Sequence, residues 1–247
     1  MANRYLQKTK SNLKNQTAQE FGMISSIIKI KSVDLAQHSR EVSQIANIIF
    51  SNIDKKKIPM DDFSQRMLNF FDIETLSLIY EYHDIGKAFI DENILNSDSK
   101  LSDEEYKVIQ NHVFAGLDIV TNIYKGKMSK TKAHENIYIT LMDIIKHHHE
   151  NVDGTGYPFG FKGEQISFLG KIARVVDVIS ALMGTRVYKK SWTAIDTLNY
   201  LHKHVGQFFD PYIVEIVKSN WDKIIKVFLN NKNEDVQKLL NKFKKTK

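Results

Sequence analysis

Residues 141–158 read Leu-Met-Asp-Ile-Ile-Lys-His-His-His-Glu-Asn-Val-Asp-Gly-Thr-Gly-Tyr-Pro. The apolar residues of the first part fall at helical spacing, and the pattern predicts a helix from Ile137 to His148. That helix ends among three consecutive histidines. The chain then enters Asp153 to Gly163, a glycine-rich segment with one proline that reads as an irregular loop.

The same period recurs on both sides. Phe21 to Phe50 reads as helix, with Val42, Ile45, Ala46 and Ile49 on one face, and Phe63 to Tyr82 reads as a second. Ser102 followed by Glu105 is a capping box, which predicts a helix start there and a run to about Tyr124. Helix resumes five residues after Gly163 and carries Arg174, Val175, Asp177 and Leu182; two or three further helices follow Thr193. No series of short alternating strands occurs, and only three prolines are present. The expected fold is all-α: one helical domain over 21–230, a polar tail over 1–20 and a basic tail over 231–247.

Composition removes several kinds of chemistry. With 247 residues and 42% apolar content the chain can bury a full core. It has no cysteine, which excludes disulfides, thiol catalysis, iron–sulfur clusters and cysteine-ligated zinc. No apolar run approaches the roughly 18 residues of a membrane span, and the start lacks a signal-peptide core. A cytoplasmic protein is expected. The formal charge of +6 comes from scattered lysines, which read as a solvated surface and not as a nucleic-acid site.

The nine histidines are unevenly placed. Asp34 and His38 share a helical face, one turn apart. His83 and Asp84 are adjacent on a second helix with Lys87 one turn on, and His112 sits in the middle of a third. His148 and His149 end a fourth, and Asp177 interrupts an apolar turn of a fifth, where a carboxylate is costly unless it is paired or binds a cation. These eight imidazoles and carboxylates exceed the needs of one ion. They suit two ions of iron, manganese or zinc sharing a carboxylate, the arrangement that activates water for phosphoester hydrolysis. His147, out of phase with its neighbours, is expected at the surface.

In order, His38, His83-Asp84-Ile85-Gly86-Lys87, His112, His148-His149-Glu150, Asp153-Gly154-x-Gly156-Tyr157-Pro158 and Asp177 form a set. With Gly163-Glu164-x-Ile166, Arg186-x-Tyr188-Lys189 and Gly206-x-x-Phe209-Asp210-Pro211, it resembles the HD-GYP subfamily of HD-domain phosphohydrolases. The likeness runs from about Asp34 to Pro211. It implies an HD-type helical bundle with the Gly-Tyr-Pro loop over a multinuclear metal site, and it makes 21–230 the catalytic domain.

What the resemblance implies for single residues is as follows. His83, Asp84, His112, His148, His149 and Asp177 match metal ligands, Asp84 as the bridge, and His38 matches a further one. Asp34 matches a position where some members carry a glutamate that supports a third metal. Lys87 matches a lysine that stabilises the phosphate or protonates the leaving oxygen. Arg186 and Lys189 match residues that hold the substrate phosphates, while Gly156 and Tyr157 shape the pocket entrance. The implied cofactors are two or three divalent ions, iron or manganese foremost.

The implied reaction is hydrolysis of cyclic di-GMP by metal-activated hydroxide attack on phosphorus, stopping at pGpG or going on to GMP. The Gly-Tyr-Pro loop would also dock partner proteins of the diguanylate cyclase kind. One departure concerns Ser180, where many members carry a second acid after Asp177. Three other readings compete with this one. The filled ligand positions argue against a cyclic-dinucleotide sensor or adaptor without turnover. The Gly-Tyr-Pro loop and the Arg-x-x-Lys pair argue against a broader nucleotide phosphohydrolase, and a nucleic-acid-binding protein leaves the ligand set unexplained.

Overall fold

The computed structural model describes residues 22, 26, 32–54, 60–97, 99, 101–126, 131–184 and 191–230. The two expected tails (1–20 and 231–247), Arg186 and Lys189 lie outside the described residues.

The described chain is helical, and its helices begin where the sequence supplies a cap. Helix α1 (Val33–Ser51) opens with Ser32 accepting from the Leu35 amide. Next come α2 (Asp62–Phe70) and α3 (Ile73–Tyr80), started by Asp61 and Asp72 respectively. A 3₁₀ turn (Ile85–Phe89) and the short α4 (Glu92–Leu95) lead to α5 (Asp103–Gln110), which opens with the predicted Ser102–Glu105 capping box. Helices α6 (His112–Lys125) and α7 (Lys132–His147) precede the Gly-Tyr-Pro loop. After it come α8 (Phe168–Met183), α9 (Ala194–Lys203), α10 (Pro211–Ser219) and a helix over 221–230.

Three predicted helices are interrupted: within Phe21–Phe50, Ser32 is extended (φ −154°, ψ 115°) and caps a helix that begins only at Val33. The Phe63–Tyr82 stretch is interrupted at Phe71-Asp72, because the Asp72 carboxylate accepts from the Thr75 amide (2.8 Å) and restarts the helix. The Ser102–Tyr124 stretch breaks at Asn111, whose amide is shared between the carbonyls of Lys107 and Val108. His112 therefore begins a helix and does not sit in the middle of one. Helix α7 starts at Lys132, five residues earlier than the periodicity suggested, on a Thr131–His134 capping box. His83 and Asp84 lie in the turn after α3, where residues stop diverging by about 100° and two neighbours can face one centre.

Helix α1 packs on α3 and α8, α8 on α7, and α6 on α7 and the 3₁₀ turn. Ile45 and Ile49 of α1, Leu76 and Ile79 of α3, Leu141 and Ile144 of α7, and Ile172 and Val176 of α8 fill the interior. Each such side chain contributes about 1.5–3 kcal/mol by leaving water. Tyr80 spans the core and donates its hydroxyl to the Leu169 carbonyl (2.7 Å). Among the described glycines the tightest lies beside the histidines: a Cβ on Gly86 would stand 1.9 Å from the His112 carbonyl oxygen and 2.5 Å from the Gly116 nitrogen. Only glycine at 86 lets the His83–Asp84 turn meet the start of α6.

Candidate metal centre

His38 comes from α1, His83 and Asp84 from the turn after α3, His112 from the first residue of α6, His148 and His149 from the end of α7, and Asp177 from α8. Their donor atoms meet in the middle of the bundle as two groups: Asp84, His112, His148 and His149, and His38, His83 and Asp84. Asp84 is common to both. Its Oδ1 lies 3.2 Å from His112 Nε2 and 3.5 Å from His148 Nε2. Its Oδ2 lies 3.3 Å from His83 Nε2 and 3.7 Å from His38 Nε2, and accepts from Lys87. Asp177 closes the other side, with Oδ1 3.1 Å from His38 and Oδ2 3.7 Å from His149.

The fit to cations rests on proton bookkeeping at three rings. His83 Nδ1 lies 3.0 Å from the Tyr80 carbonyl, His112 Nδ1 2.6 Å from that of Ile109, and His148 Nδ1 2.8 Å from that of Ile145. A carbonyl only accepts, so each Nδ1 carries a hydrogen, and whenever a ring is neutral its lone pair lies on Nε2. Two such lone pairs, on His112 and His148, face each other 3.1 Å apart. His38 Nε2, His83 Nε2, His149 Nε2 and Asp84 Oδ1 are buried without a hydrogen-bond partner. Each unpaired buried atom costs about 1–3 kcal/mol, which divalent cations held by the two donor groups would offset.

Protonation follows the same geometry. Burial brings His148 down to about 4 and holds His149 well below the ordinary imidazole value. Burial opposes charge on His83 as well, but Asp84 and Asp177 outweigh it and raise that ring to about 9. Burial also works against charge on Asp84 and Asp177. Lys87 and His83 nevertheless hold Asp84 well below the carboxylate range, and the charged His83 ring lowers Asp177 as well.

Without metal, the unfolded chain takes a proton on His148 below about 6.5, which the folded protein refuses until about 4. Stability therefore falls with pH through that window, and further as the two aspartates protonate below it. The His83 contribution is fully present below about 6.5 and gone above about 9. The metal-free melting temperature is expected to peak near pH 6.5 and fall on either side. A melting temperature that rises between pH 6.5 and pH 4 would contradict this assignment.

The structure also describes Tyr157, Gly156 and Asp34. Tyr157 is half-buried and stacks on His149 (centroids 4.5 Å apart, planes at 23°), and burial raises its phenol. Gly156 is required by packing, since a Cβ there would stand 2.4 Å from the Asn151 nitrogen and 2.5 Å from the His149 carbonyl oxygen. Asp34 is half-buried in the first turn of α1, and neither donor group includes it.

His147 corrects an expectation: it is buried, at 5% exposure. Its Nδ1 lies 3.2 Å from Asp143 Oδ1 and 3.3 Å from Ser167 Oγ, so it ties α7 to the start of α8. Room for it exists because Gly170 has no side chain; a Cβ there would fall 2.3 Å from His147 Cβ. A third polar atom on one helix end exceeds what ligation uses, and packing of α8 takes it.

Sequence reasoning gave no role to Glu150. Its carboxylate is buried and accepts from the amides of Phe159 (2.8 Å) and Phe161 (3.0 Å), which holds the Gly-Tyr-Pro loop against the end of α7. Gly154 and Gly160 turn that loop at φ of 86° and 67°. Glu150→Gln leaves one amide facing a donor and is expected to cost about 2 kcal/mol in urea unfolding. Hydrogen exchange at the Phe159 and Phe161 amides should quicken with it. Unchanged protection would mean that the loop is held otherwise.

The pattern of the HD-domain family matches residues 74–213. The chain is similar to the 3′3′-cGAMP-specific phosphodiesterase 2 of Vibrio cholerae, with 33% identity over 145 residues, 59% of this chain and 26% of that protein. It is similar to a cyclic di-GMP phosphodiesterase of Pseudomonas aeruginosa, with 35% identity over 131 residues, 53% of this chain and 29% of that protein. A cyclic di-GMP phosphodiesterase of Thermotoga maritima shows 29% identity over 153 residues, 62% of this chain and 39% of that protein. The chain spans less than half the length of each of these relatives.

Proposed function

The chain belongs to the HD-domain family, and from that premise we propose that it is a metal-dependent phosphodiesterase hydrolysing cyclic di-GMP. The observation that carries the reading is the pair of imidazole lone pairs 3.1 Å apart beside a carboxylate shared by two donor groups. Two divalent ions, iron or manganese, would supply Lewis acidity there, lowering the pKa of a water and offsetting charge on a phosphodiester.

The remaining work falls to the chain's own residues. His38, His83, Asp84 and Asp177 would hold one ion and Asp84, His112, His148 and His149 the other. Asp34, one turn before His38, is the residue on which a third ion would depend. Lys87, whose ammonium reaches Asp84, is placed to meet a phosphate oxygen or to protonate the leaving 3′ oxygen. Arg186 and Lys189 are assigned to the substrate phosphates, for which a guanidinium fork is suited. Tyr157, stacked on His149, forms a wall of the pocket, and Gly156 gives it close approach to that histidine.

The catalytic domain is taken as 21–230, at work in the cytoplasm. No helix among the described residues is long and apolar enough to cross a membrane. The Gly-Tyr-Pro loop, which presents Phe159 at the surface, is assigned as the docking face for diguanylate cyclase-type partners. A second substrate, 3′3′-cGAMP, is favoured by the likeness to the 3′3′-cGAMP-specific phosphodiesterase 2 of Vibrio cholerae.

The test is to incubate the protein with cyclic di-GMP and with 3′3′-cGAMP, with iron, manganese and zinc in turn, and to separate the products by chromatography. Cyclic di-GMP should give pGpG, with GMP following if a second step occurs. Consumption of 3′3′-cGAMP alone would move the substrate assignment. Both dinucleotides intact with all three metals would sink the enzyme reading, and tight binding without turnover would make the protein a sensor.

A further inference from the structure

His83, His112 and His148 are each held in one tautomer by a carbonyl three residues earlier. His38 is held differently. Its Nδ1 lies 2.8 Å from Ser180 Oγ, and Ser180 Oγ lies 2.8 Å from Glu41 Oε2. The three residues are 4%, 1% and 3% exposed, so no solvent competes for these bonds. Glu41 is one turn after His38 on α1, and Ser180 is one turn after Asp177 on α8. A second layer thus joins the two helices directly behind the ligands they carry.

We infer that Glu41 is a positioning residue for the metal centre: acting through Ser180, it keeps the His38 proton on Nδ1 and turns the Nε2 lone pair toward the cation. The inference rests on the metal-centre reading above.

The direction of the relay follows from counting hydrogens. An ionised carboxylate only accepts, and Glu41 is placed to do so twice, from Gln37 Nε2 at Oε1 (3.0 Å) and from Ser180 at Oε2. Ser180 has one hydroxyl hydrogen, and its rival acceptor, the His38 carbonyl, is 3.5 Å away. With that hydrogen on Glu41, the serine oxygen can only accept from His38, so Nδ1 is the protonated nitrogen. Nε2 then faces Asp177 Oδ1 at 3.1 Å as a bare lone pair, without hydrogen-bond geometry. The fold reserves space for this carboxylate: a Cβ on Gly184 would come 2.9 Å from Glu41 Oε2 and 2.6 Å from the Ser180 carbonyl. Hydrogen-bond partners behind a ligating histidine fix its ring and tautomer, and removing one typically weakens metal binding about 10–100-fold.

The experiment compares wild type, Glu41→Gln and Ser180→Ala. In metal-free protein with ¹⁵N-labelled histidine, the His38 nitrogen shifts should report protonation at Nδ1 in wild type. They should report a mixed or Nε2-protonated ring in Glu41→Gln, whose amide can donate to Ser180 and reverse the relay. In Mn²⁺ titrations against a competing chelator, each variant should bind at least about tenfold more weakly than wild type. A mere tether between α1 and α8 would lower the melting temperature and leave both readouts where they were. That result, with wild type binding Mn²⁺, overturns this inference alone. A wild type that takes up no Mn²⁺ overturns the metal-centre reading, and this inference with it. If Ser180→Ala does not fold, Glu41→Gln decides, because its side chain is nearly isosteric.

Discussion

Asp84→Ala is expected to abolish metal retention and to lower cyclic di-GMP hydrolysis by at least about 10³-fold. Asp84 is the one residue common to both donor groups, and its two oxygens face four imidazoles and the Lys87 ammonium. Removing it takes a ligand from each ion at once and leaves those positive and lone-pair groups facing one another. Loss of one preorganised electrostatic group commonly costs 10²–10³ in rate, and here the loss extends to whatever the metals supply. Metal content after desalting and chromatography of the products are the two measurements. Asp84→Asn keeps the shape and removes the charge, and it should behave the same way. Full activity in either variant would mean that the chemistry lies elsewhere.

Stripping the metal from wild type should lower the melting temperature by roughly 10 °C. Ions at about a thousand times their dissociation constant stabilise the fold by about 4 kcal/mol, and each kcal/mol moves the midpoint of a domain of this size by about 2–4 °C. The effect is large because the ligands come from five separate places in the chain, from α1 to α8, so one cluster crosslinks most of the bundle. Calorimetry with and without chelator measures it. The Asp84→Ala variant serves as the internal control, since it should show no chelator-dependent shift. A wild type equally indifferent to chelator would argue that nothing binds there.

Much of this was readable from the residues alone. Apolar periodicity fixed the helical class, the Ser102–Glu105 box appeared where it was expected, and the order of histidines and aspartates named the residues that converge. The failures have physical reasons. Helix continuity was overestimated at Asp72 and Asn111, because a side-chain cap or a shared amide breaks a helix without disturbing apolar spacing. His147 was misplaced because phase relative to its neighbours says nothing of a partner 20 residues away such as Ser167. Ser180 read as a missing acid, whereas the structure puts a carboxylate, Glu41, against its hydroxyl from another helix. Such a contact joins residues 139 positions apart and leaves no local pattern.

The carbonyls that hold His83, His112 and His148 belong to Tyr80, Ile109 and Ile145, each three residues upstream. Aim of these rings is thus written in where a helical turn stops, and the identity of the neighbouring side chains matters little to it. Such a centre should tolerate drift in the intervening sequence while being brittle to length. A single residue inserted between a ring and its carbonyl would swing that ring about 100° and forfeit its anchor in the same event. Substitution and insertion ought therefore to leave very different marks on proteins built this way, with spacing kept fixed through Tyr80–His83, Ile109–His112 and Ile145–His148 even where the letters between them change.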